Sequence, residues 1–173
     1  NRRVDVVAEG LDLAIRVRPP PLQDSELVLR HLAERRQCLV AAPALIARYG
    51  QAAGPMDLGH WPSLDLGPPR DTHRWQLYGP DNIHAEVRHS PRYVTQSMRA
   101  LREAAIQGVG VVQLPSMFVL DDLRSGSLVQ VLPGWEPRRE IIHAVYASRR
   151  GQLPAVRALL DHLAQSFRAL TEE

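Results

Sequence analysis

The spacing of apolar residues near the start of the chain predicts a short helix followed by a strand. Val4, Val7 and Ala8 share one face of a helix. Gly10 follows where a helix would end, because glycine takes left-handed dihedral angles without steric cost. Residues 11–16 then alternate between apolar and polar or small side chains, as in a strand. A helix that leads directly into a strand is typical of the second half of a βαβ unit. We therefore expect this chain to be a piece of a longer protein.

The same reading predicts alternating strands and helices along the rest of the chain. Strands are predicted at residues 27–32, 37–42, 75–78, 83–88, 109–115, 128–132 and 141–146. Helices are predicted at residues 43–49, 95–107 and 116–125, and along the stripe Val156, Leu159, Leu160, Leu163, Phe167 and Leu170. Residues 33–36 are predicted to form a turn, and residues 54–74 are irregular. The alternation predicts an α/β protein with mainly parallel sheets, and the irregular middle is compatible with two lobes.

Charge and composition exclude several classes of protein. The formal net charge is only +2, and all 21 basic residues are arginines scattered among 19 acidic residues. A DNA-binding face would show a clustered basic stripe, so this chain is not predicted to contact DNA itself. No apolar run is long enough to span a membrane. Cys38 is the only cysteine, which agrees with a cytoplasmic location and excludes an intramolecular disulfide.

Histidines and carboxylates do not follow the spacing of a metal site. His84 and His89 are five residues apart, so on a strand they point to opposite faces. His60, Asp71 and His73 lie in or beside the irregular segment, but their spacing matches no zinc pattern. We therefore expect no metal site and no cofactor.

Catalytic motifs are also lacking. Ser116, His143 and Asp161 invite comparison with a catalytic triad, but no Gly-x-Ser-x-Gly turn surrounds Ser116, which is predicted to cap a helix instead. Gly108 and Gly110 follow a helix rather than a strand, unlike the glycines of a dinucleotide-binding loop. The sequence therefore predicts no enzyme, although an enzyme with a dispersed site in residues 54–74 stays open as an alternative.

One segment has the chemistry of a binding site. Residues 93–97 lead into the predicted helix, and Thr95 and Ser97 carry hydroxyls next to its free backbone N–H groups. Such a helix start can bind an anion. The alternative is that Thr95 or Ser97 caps the helix and binds nothing.

Five blocks of the sequence resemble the LysR-type transcriptional regulators, in the order found in that family. The blocks are residues 3–16, 39–50, 104–115, 126–133 and 142–146. The resemblance implies the family's effector-binding domain, an α/β fold of two lobes like the type 2 periplasmic binding proteins. Lobe I is then residues 1–40 plus 149–173, without its first strand and helix, and lobe II is residues 41–148. The winged helix–turn–helix DNA-binding domain is expected to be absent from this chain.

The resemblance also implies a function and a set of binding residues. A small metabolite would bind between the lobes and modulate DNA binding and transcription. The implied effector-binding residues are Val17, Arg18, Ala41, Ala42, Thr95, Gln96 and Ser97. Many relatives carry Asn-Asp where this chain has Gln96 and Ser97, so their effector chemistry does not carry over.

The resemblance implies specific partners as well. They are promoter DNA, contacted through the missing domain, and a second copy of the chain in a homodimer or homotetramer, with no membrane. A stand-alone solute-binding protein of the same fold is the alternative.

Overall fold

The chain forms two units in the computed structural model, which describes residues 5–20, 27–148, 150 and 153–171. Unit 1 contains Asn1–Arg35 and Arg139–Glu173, and unit 2 contains Arg36–Arg138. None of the helices in the described residues has the length and apolar character that a membrane span needs.

Unit 1 is an antiparallel sheet with one long helix. Its elements are strands β1 (Ala14–Arg18), β2 (Val28–Arg35) and β11 (Glu140–Tyr146) and helix α4 (Pro154–Thr171). β11 is the central strand and pairs antiparallel with both β1 and β2. β1 thus has an antiparallel partner from the far end of the chain, and the predicted βαβ unit, whose first strand was expected to lie outside this chain, stays a prediction.

α4 forms the core of unit 1 with the sheet. Val156, Leu160 and Ala164 are buried in one cluster with Ile142 and Ala144 of β11. Their spacing of four residues places them on one face of the helix. The predicted apolar stripe is therefore confirmed in part. Its member Leu159 is 45% exposed, because it lies one position before Leu160 and points away from the sheet.

The segment before β1 is a capped turn. The Asp5 carboxylate accepts hydrogen bonds from the backbone N–H groups of Val7 and Ala8, and Gly10 has a φ of 65°. The left-handed conformation predicted for Gly10 is thus confirmed, whereas the helix predicted before it is wrong, because the described residues 6–10 form a turn. The predicted apolar face is wrong, since Val6 is buried while Val7 and Ala8 are exposed. Val4 lies outside the described residues.

Unit 2 contains the remaining elements. Its helices are α1 (Pro43–Tyr49), α2 (Met98–Ile106) and α3 (Leu120–Ser125). Its strands are β3 (Gln37–Ala41), β4 (Ser63–Leu66), β5 (His73–Tyr78), β6 (His84–His89), β7 (Pro91–Thr95), β8 (Val112–Pro115), β9 (Val129–Gln130) and β10 (Glu136–Pro137).

Most strand pairs of unit 2 are antiparallel. The sheet orders are β8-β3-β9, β10-β5-β6 and β4-β7. Only β4 and β7 form a parallel ladder, and a single parallel bridge joins Ser63 to Val111. The expectation of mainly parallel sheets is therefore wrong for the described residues. Alternation of helix and strand does not fix strand direction when the connections are hairpins or long returns.

Two apolar clusters stabilise unit 2. Leu39, Trp75 and Leu77 belong to the first, and Leu64 and Leu101 belong to the second. β3 contributes to both, because its side chains alternate between the two faces of the sheet and both faces are covered. The strand is buried along its whole length.

Several predicted elements are confirmed. α1 begins at Pro43, whose missing N–H costs nothing at a helix start, and Gly50 follows its end with a φ of 84°. β5 and β6 confirm the strands predicted at residues 75–78 and 83–88, and they pair as an antiparallel hairpin.

Other predicted boundaries are wrong. The predicted turn at residues 33–36 is strand as far as Arg35. The predicted irregular segment contains β4, and Thr95 ends β7 rather than beginning α2. Ser116 begins a short 3-10 helix without a side-chain cap. Short strands inside polar segments depend on distant partners, which the local pattern does not show.

The two divisions between the units differ from those expected from the resemblance. They fall at Arg35/Arg36 and at Arg138/Arg139, whereas the expected lobe boundaries follow residues 40 and 148. β3 pairs with β8 and β9 and so lies in unit 2, while β11 pairs with β1 and β2 and so lies in unit 1.

Candidate functional site

The predicted binding residues Thr95, Gln96 and Ser97 connect β7 to α2. Gln96 and Ser97 are exposed and Thr95 is half-buried. Thr95 Oγ1 accepts a hydrogen bond from the Ser97 backbone N–H at 3.3 Å. Ser97 Oγ accepts one from the backbone N–H of Ala100 at 3.2 Å. The structure therefore keeps these three residues together and shows that Ser97 caps the helix.

Capping leaves donors available at this helix start. The first backbone N–H groups of a helix have no acceptor within it. Here the N–H groups of Ser97 and Ala100 are satisfied by side chains, whereas those of Met98 and Arg99 have no acceptor in the part of the chain that the structure describes. Two free donors and the positive end of the helix dipole can bind an anionic or carbonyl group.

Ala41 and Ala42 lie in the same unit but offer little side-chain surface. Both are buried. Ala41 is the last residue of β3 and pairs with Val129, and Ala42 precedes α1. Any contribution of these two residues to binding must therefore come from their backbone.

Val17 and Arg18 belong to unit 1, at the end of β1. Val17 is exposed and Arg18 is half-buried. They pair with Ile142 and Ile141 across the sheet. The predicted binding residues thus form three groups. Val17 and Arg18 lie in unit 1, and Ala41 with Ala42 and the segment of Thr95, Gln96 and Ser97 lie in unit 2.

A polar cluster that the sequence did not predict lies beside β4. His73 Nδ1 is 2.5 Å from Asp65 Oδ2, and His89 Nδ1 is 2.8 Å from Ser63 Oγ. The His89 ring stacks on Trp75 at 3.9 Å between centroids. His73 and His89 face each other across the β5–β6 hairpin. Pairing the two predicted strands at residues 75–78 and 83–88, and extending each by one or two residues, would have found this pair.

Burial keeps His89 neutral. The pKa of the ring is lowered from 6.5 to about 4, chiefly by burial, with smaller effects from Asp65, which raises it, and from His73, which lowers it. Nε2 of His89 is buried and has no hydrogen-bond partner in the described residues. An unpartnered buried ring nitrogen is unusual and calls for an explanation.

The metal and catalytic alternatives find no support in the described residues. Among them, no group of three or more His, Cys, Asp or Glu side chains could hold a metal ion. Ser116 lies in unit 2, whereas His143 and Asp161 lie in unit 1. The Asp161 carboxylate accepts from Arg30 at 2.8 Å.

Cys38 is a core residue rather than a reactive thiol. It is buried, and Sγ lies 3.7 Å from the carbonyl oxygen of Leu114. Burial raises the pKa of the thiol above its ordinary value, and the nearby Ser116 lowers it by less. A buried thiol with a raised pKa is inert.

Comparison with known proteins gives a family match over almost the whole chain. Residues 1–168 match the family described as LysR substrate binding domain. A helix-turn-helix transcriptional regulator of Xanthomonas campestris pv. campestris is 31% identical over 166 residues, which cover 94% of this chain and 48% of that protein. The transcriptional activator AaeR of Escherichia coli is 29% identical over 164 residues, or 94% of this chain and 52% of AaeR.

Solved structures agree in fold. The full-length Vibrio cholerae virulence activator AphB, a member of the LTTR family, superposes with a TM-score of 0.80 at 24% identity, covering 96% of this chain and 56% of AphB. At that identity the likeness concerns the fold. The chain spans about half the length of the curated relatives it matches. The predicted fold class, a periplasmic-binding-like α/β fold of two lobes, is confirmed.

Proposed function

Because this chain belongs to the LysR substrate binding domain family, we propose that it is the effector-sensing and oligomerisation part of a bacterial transcriptional regulator in the cytoplasm. The observation that carries the proposal is the family match over residues 1–168. The relatives matched here are transcriptional regulators. They give no support to a stand-alone solute-binding protein.

The proposed mechanism is a shift between two arrangements of a dimer or tetramer. A ligand changes such an equilibrium only by its differential affinity for the two states. Through linkage, the same free energy changes the affinity of the assembly for promoter DNA. We assign the DNA contact to the helix–turn–helix part of such regulators, because the arginines of this chain are balanced by carboxylates.

For the effector, we propose contacts with the start of α2. The N–H groups of Met98 and Arg99 are the donors, and the exposed Gln96 amide supplies both a donor and an acceptor. This arrangement suits a metabolite with a carboxylate or carbonyl group. Ala41 and Ala42 can add backbone groups only. Val17 and Arg18 remain predictions from the resemblance.

Binding without turnover is the proposed chemistry. The Asp65–His73 pair resembles part of a catalytic relay. A nucleophile beside it would be needed for covalent catalysis, and the described contacts of His73 join it to Asp65 and to the His89 ring only.

A ligand screen on the complete regulator tests the proposal. We expect at least one member of a panel of amino acids, organic acids, sugars and purines to raise the melting temperature and to change the affinity for promoter DNA. A ligand stabilises by mass action when it binds only the folded state. A regulator that no compound stabilises, or that stays monomeric in native mass spectrometry, would contradict the proposal.

Two glutamines that flank α2 give a matched pair of variants for the site itself. Gln96→Ala removes the amide at the start of the helix, and Gln107→Ala removes an exposed amide at its other end. We expect the first to weaken effector binding about tenfold, the effect of losing about 1.4 kcal/mol, and the second to leave it unchanged. Equal weakening by both variants would place the site elsewhere.

A further inference from the structure

A cavity lies in unit 2 and does not include Thr95, Gln96 or Ser97. Its volume is about 420 Å³. The loop before β5, the ends of β5 and β6, and β7 provide its walls. This volume is within the range of small-molecule sites in proteins.

The cavity is lined by a buried histidine with an unused nitrogen. His89 is 6% exposed, and its Nδ1 lies 2.8 Å from Ser63 Oγ. When the Ser63 hydroxyl donates to Nδ1, the ring hydrogen resides on Nε2. Nε2 is buried without a partner among the described residues. A ligand oxygen that reached this atom would complete its hydrogen bonding.

The charges of the wall favour a single negative charge. Arg70 and Arg88 line the cavity, are exposed, and have no carboxylate partner in the described part of the chain. Asp71, also exposed, lines the same wall. Two guanidinium groups against one carboxylate leave one net positive charge. A monoanion fits this balance better than a dianion or a cation.

The remaining wall residues are suited to an apolar ligand body. Pro69, Pro91 and Val94 contribute apolar surface. His73 also lines the cavity, and its ring is held in place by the Asp65 carboxylate at 2.5 Å. Apolar walls with a few convergent polar groups are typical of ligand sites.

We propose that this cavity binds a small organic monocarboxylate. Its carboxylate pairs with Arg88 or Arg70 and accepts the N–H of His89 Nε2, while its apolar part lies against the prolines. Because Nε2 is covered, side chains around it must move when the ligand enters. The site does not share residues with the proposed effector site at the start of α2. The domain would therefore respond to a second ligand.

Nitrogen NMR of the 173-residue chain labelled at histidine tests this, with benzoate as the probe. Benzamide has nearly the same shape without the charge, and inorganic phosphate supplies an anion without an apolar body. We expect benzoate at millimolar concentration to shift the His89 ring nitrogens in a saturable way, and neither control to do so. No shift with benzoate, or an equal shift with benzamide, would overturn the proposal.

Arginine variants locate the carboxylate. Arg88→Gln should weaken benzoate binding about tenfold, as expected for one charge-assisted contact. Arg92→Gln is the matched control, because Arg92 is an exposed arginine of the neighbouring strand that does not line the cavity. Equal weakening by both would mean a general effect of charge and would contradict the site.

A second variant removes the buried donor. His89→Phe keeps an aromatic ring on Trp75 and removes both ring nitrogens. We expect it to abolish saturable benzoate binding, followed by the amide signals of Arg88 and Ser90, while unchanged amide signals in α1 and α2 report an intact fold. Binding that survives in a folded His89→Phe protein would show that the histidine takes no part.

Discussion

Unit 2 and unit 1 differ in how they are stabilised. Unit 2 has two clusters of buried apolar side chains, with Leu39 and Leu101 fully enclosed. Unit 1 has one smaller cluster around Leu160, and β1 leaves Ile15 and Val17 exposed.

Pairs of charges also join the elements of unit 1, as they do in unit 2. Arg35 pairs with Glu140, Arg139 with Glu34 and Arg30 with Asp161. Exposed ion pairs contribute little to stability, whereas apolar burial contributes most of it.

The polar features that are suited to binding lie in the unit with the larger apolar core. The start of α2 and the cavity beside His89 both lie in unit 2. Binding groups must be held in place by packed neighbours if they are to select a ligand. All three tryptophans, Trp61, Trp75 and Trp135, also lie in unit 2. Tryptophan fluorescence therefore reports the unfolding of unit 2 by itself.

The largest expected effect is loss of a core side chain from unit 2. Leu39→Ala should lower the free energy of unfolding by about 2–5 kcal/mol, because β3 is enclosed on both faces and a cavity would remain. Leu159→Ala on the exposed side of α4 should change it by less than about 0.5 kcal/mol. Urea unfolding followed by tryptophan fluorescence measures the first variant, and hydrogen exchange in β11 measures the second. Similar costs for the two variants would remove the contrast between the units.

Acid should destabilise unit 2 through His89. The pKa of the ring is lowered from 6.5 to about 4 in the folded chain, chiefly by burial. The unfolded chain takes up its proton as the pH falls through 6.5, whereas the folded chain does so only near 4. This contribution is therefore complete above pH 6.5 and is lost toward pH 4, a change of about 3 kcal/mol.

The measurement for this effect is urea unfolding followed by tryptophan fluorescence at several pH values. The His89→Phe variant should show a shallower dependence between pH 6.5 and 4. Identical slopes in the two proteins would mean that His89 is not the titrating group.

Close backbone packing in unit 2 gives an effect of intermediate size. A Cβ on Gly110 would lie 2.8 Å from the carbonyl oxygen of Pro62. Gly110→Ala should therefore cost about 1–3 kcal/mol, as overpacking does. Gly54→Ala is its control, because nothing lies within 4 Å of an added Cβ there. The thermal midpoints of the two variants should differ clearly, and equal midpoints would contradict the close approach.

The smallest effect is expected from an ion pair of unit 1. Asp161→Ala removes the partner of Arg30, but the Asp161 side chain is 71% exposed. The loss should be about 0–1 kcal/mol and should shrink as salt is added. Hydrogen exchange in β2 and β11 would measure it. A loss as large as that of Leu39→Ala would show that unit 1 depends on charge more than its exposure suggests.

Local chemistry predicted many elements correctly. Pro43 and Gly50 mark the ends of α1, and Gly79 and Pro80 mark the turn between β5 and β6. These residues act through their own dihedral preferences, so no distant partner is needed. The order of the five sequence blocks was also enough to identify the family, and the family match over residues 1–168 confirms it.

Strand partners and directions could not be predicted in the same way. β2 and β3 are separated by one residue, yet they lie in different units with different partners. Their apolar patterns show that each is a strand but carry no information about its neighbour. The binding residues could be predicted from the sequence only in part. Thr95, Gln96 and Ser97 are neighbours in the sequence, but the burial of Ala41 and Ala42 depends on the fold.

The sequence by itself therefore determined the family, the two-lobe α/β class and the helices and turns whose signals are local. The tertiary structure alone decided that β11 joins β1 to β2, and that Asp65 and Ser63 meet His73 and His89. The physical reason is the range of the interactions. Dihedral preferences act within a few residues, whereas a β-ladder or a buried hydrogen bond joins residues that only folding brings together.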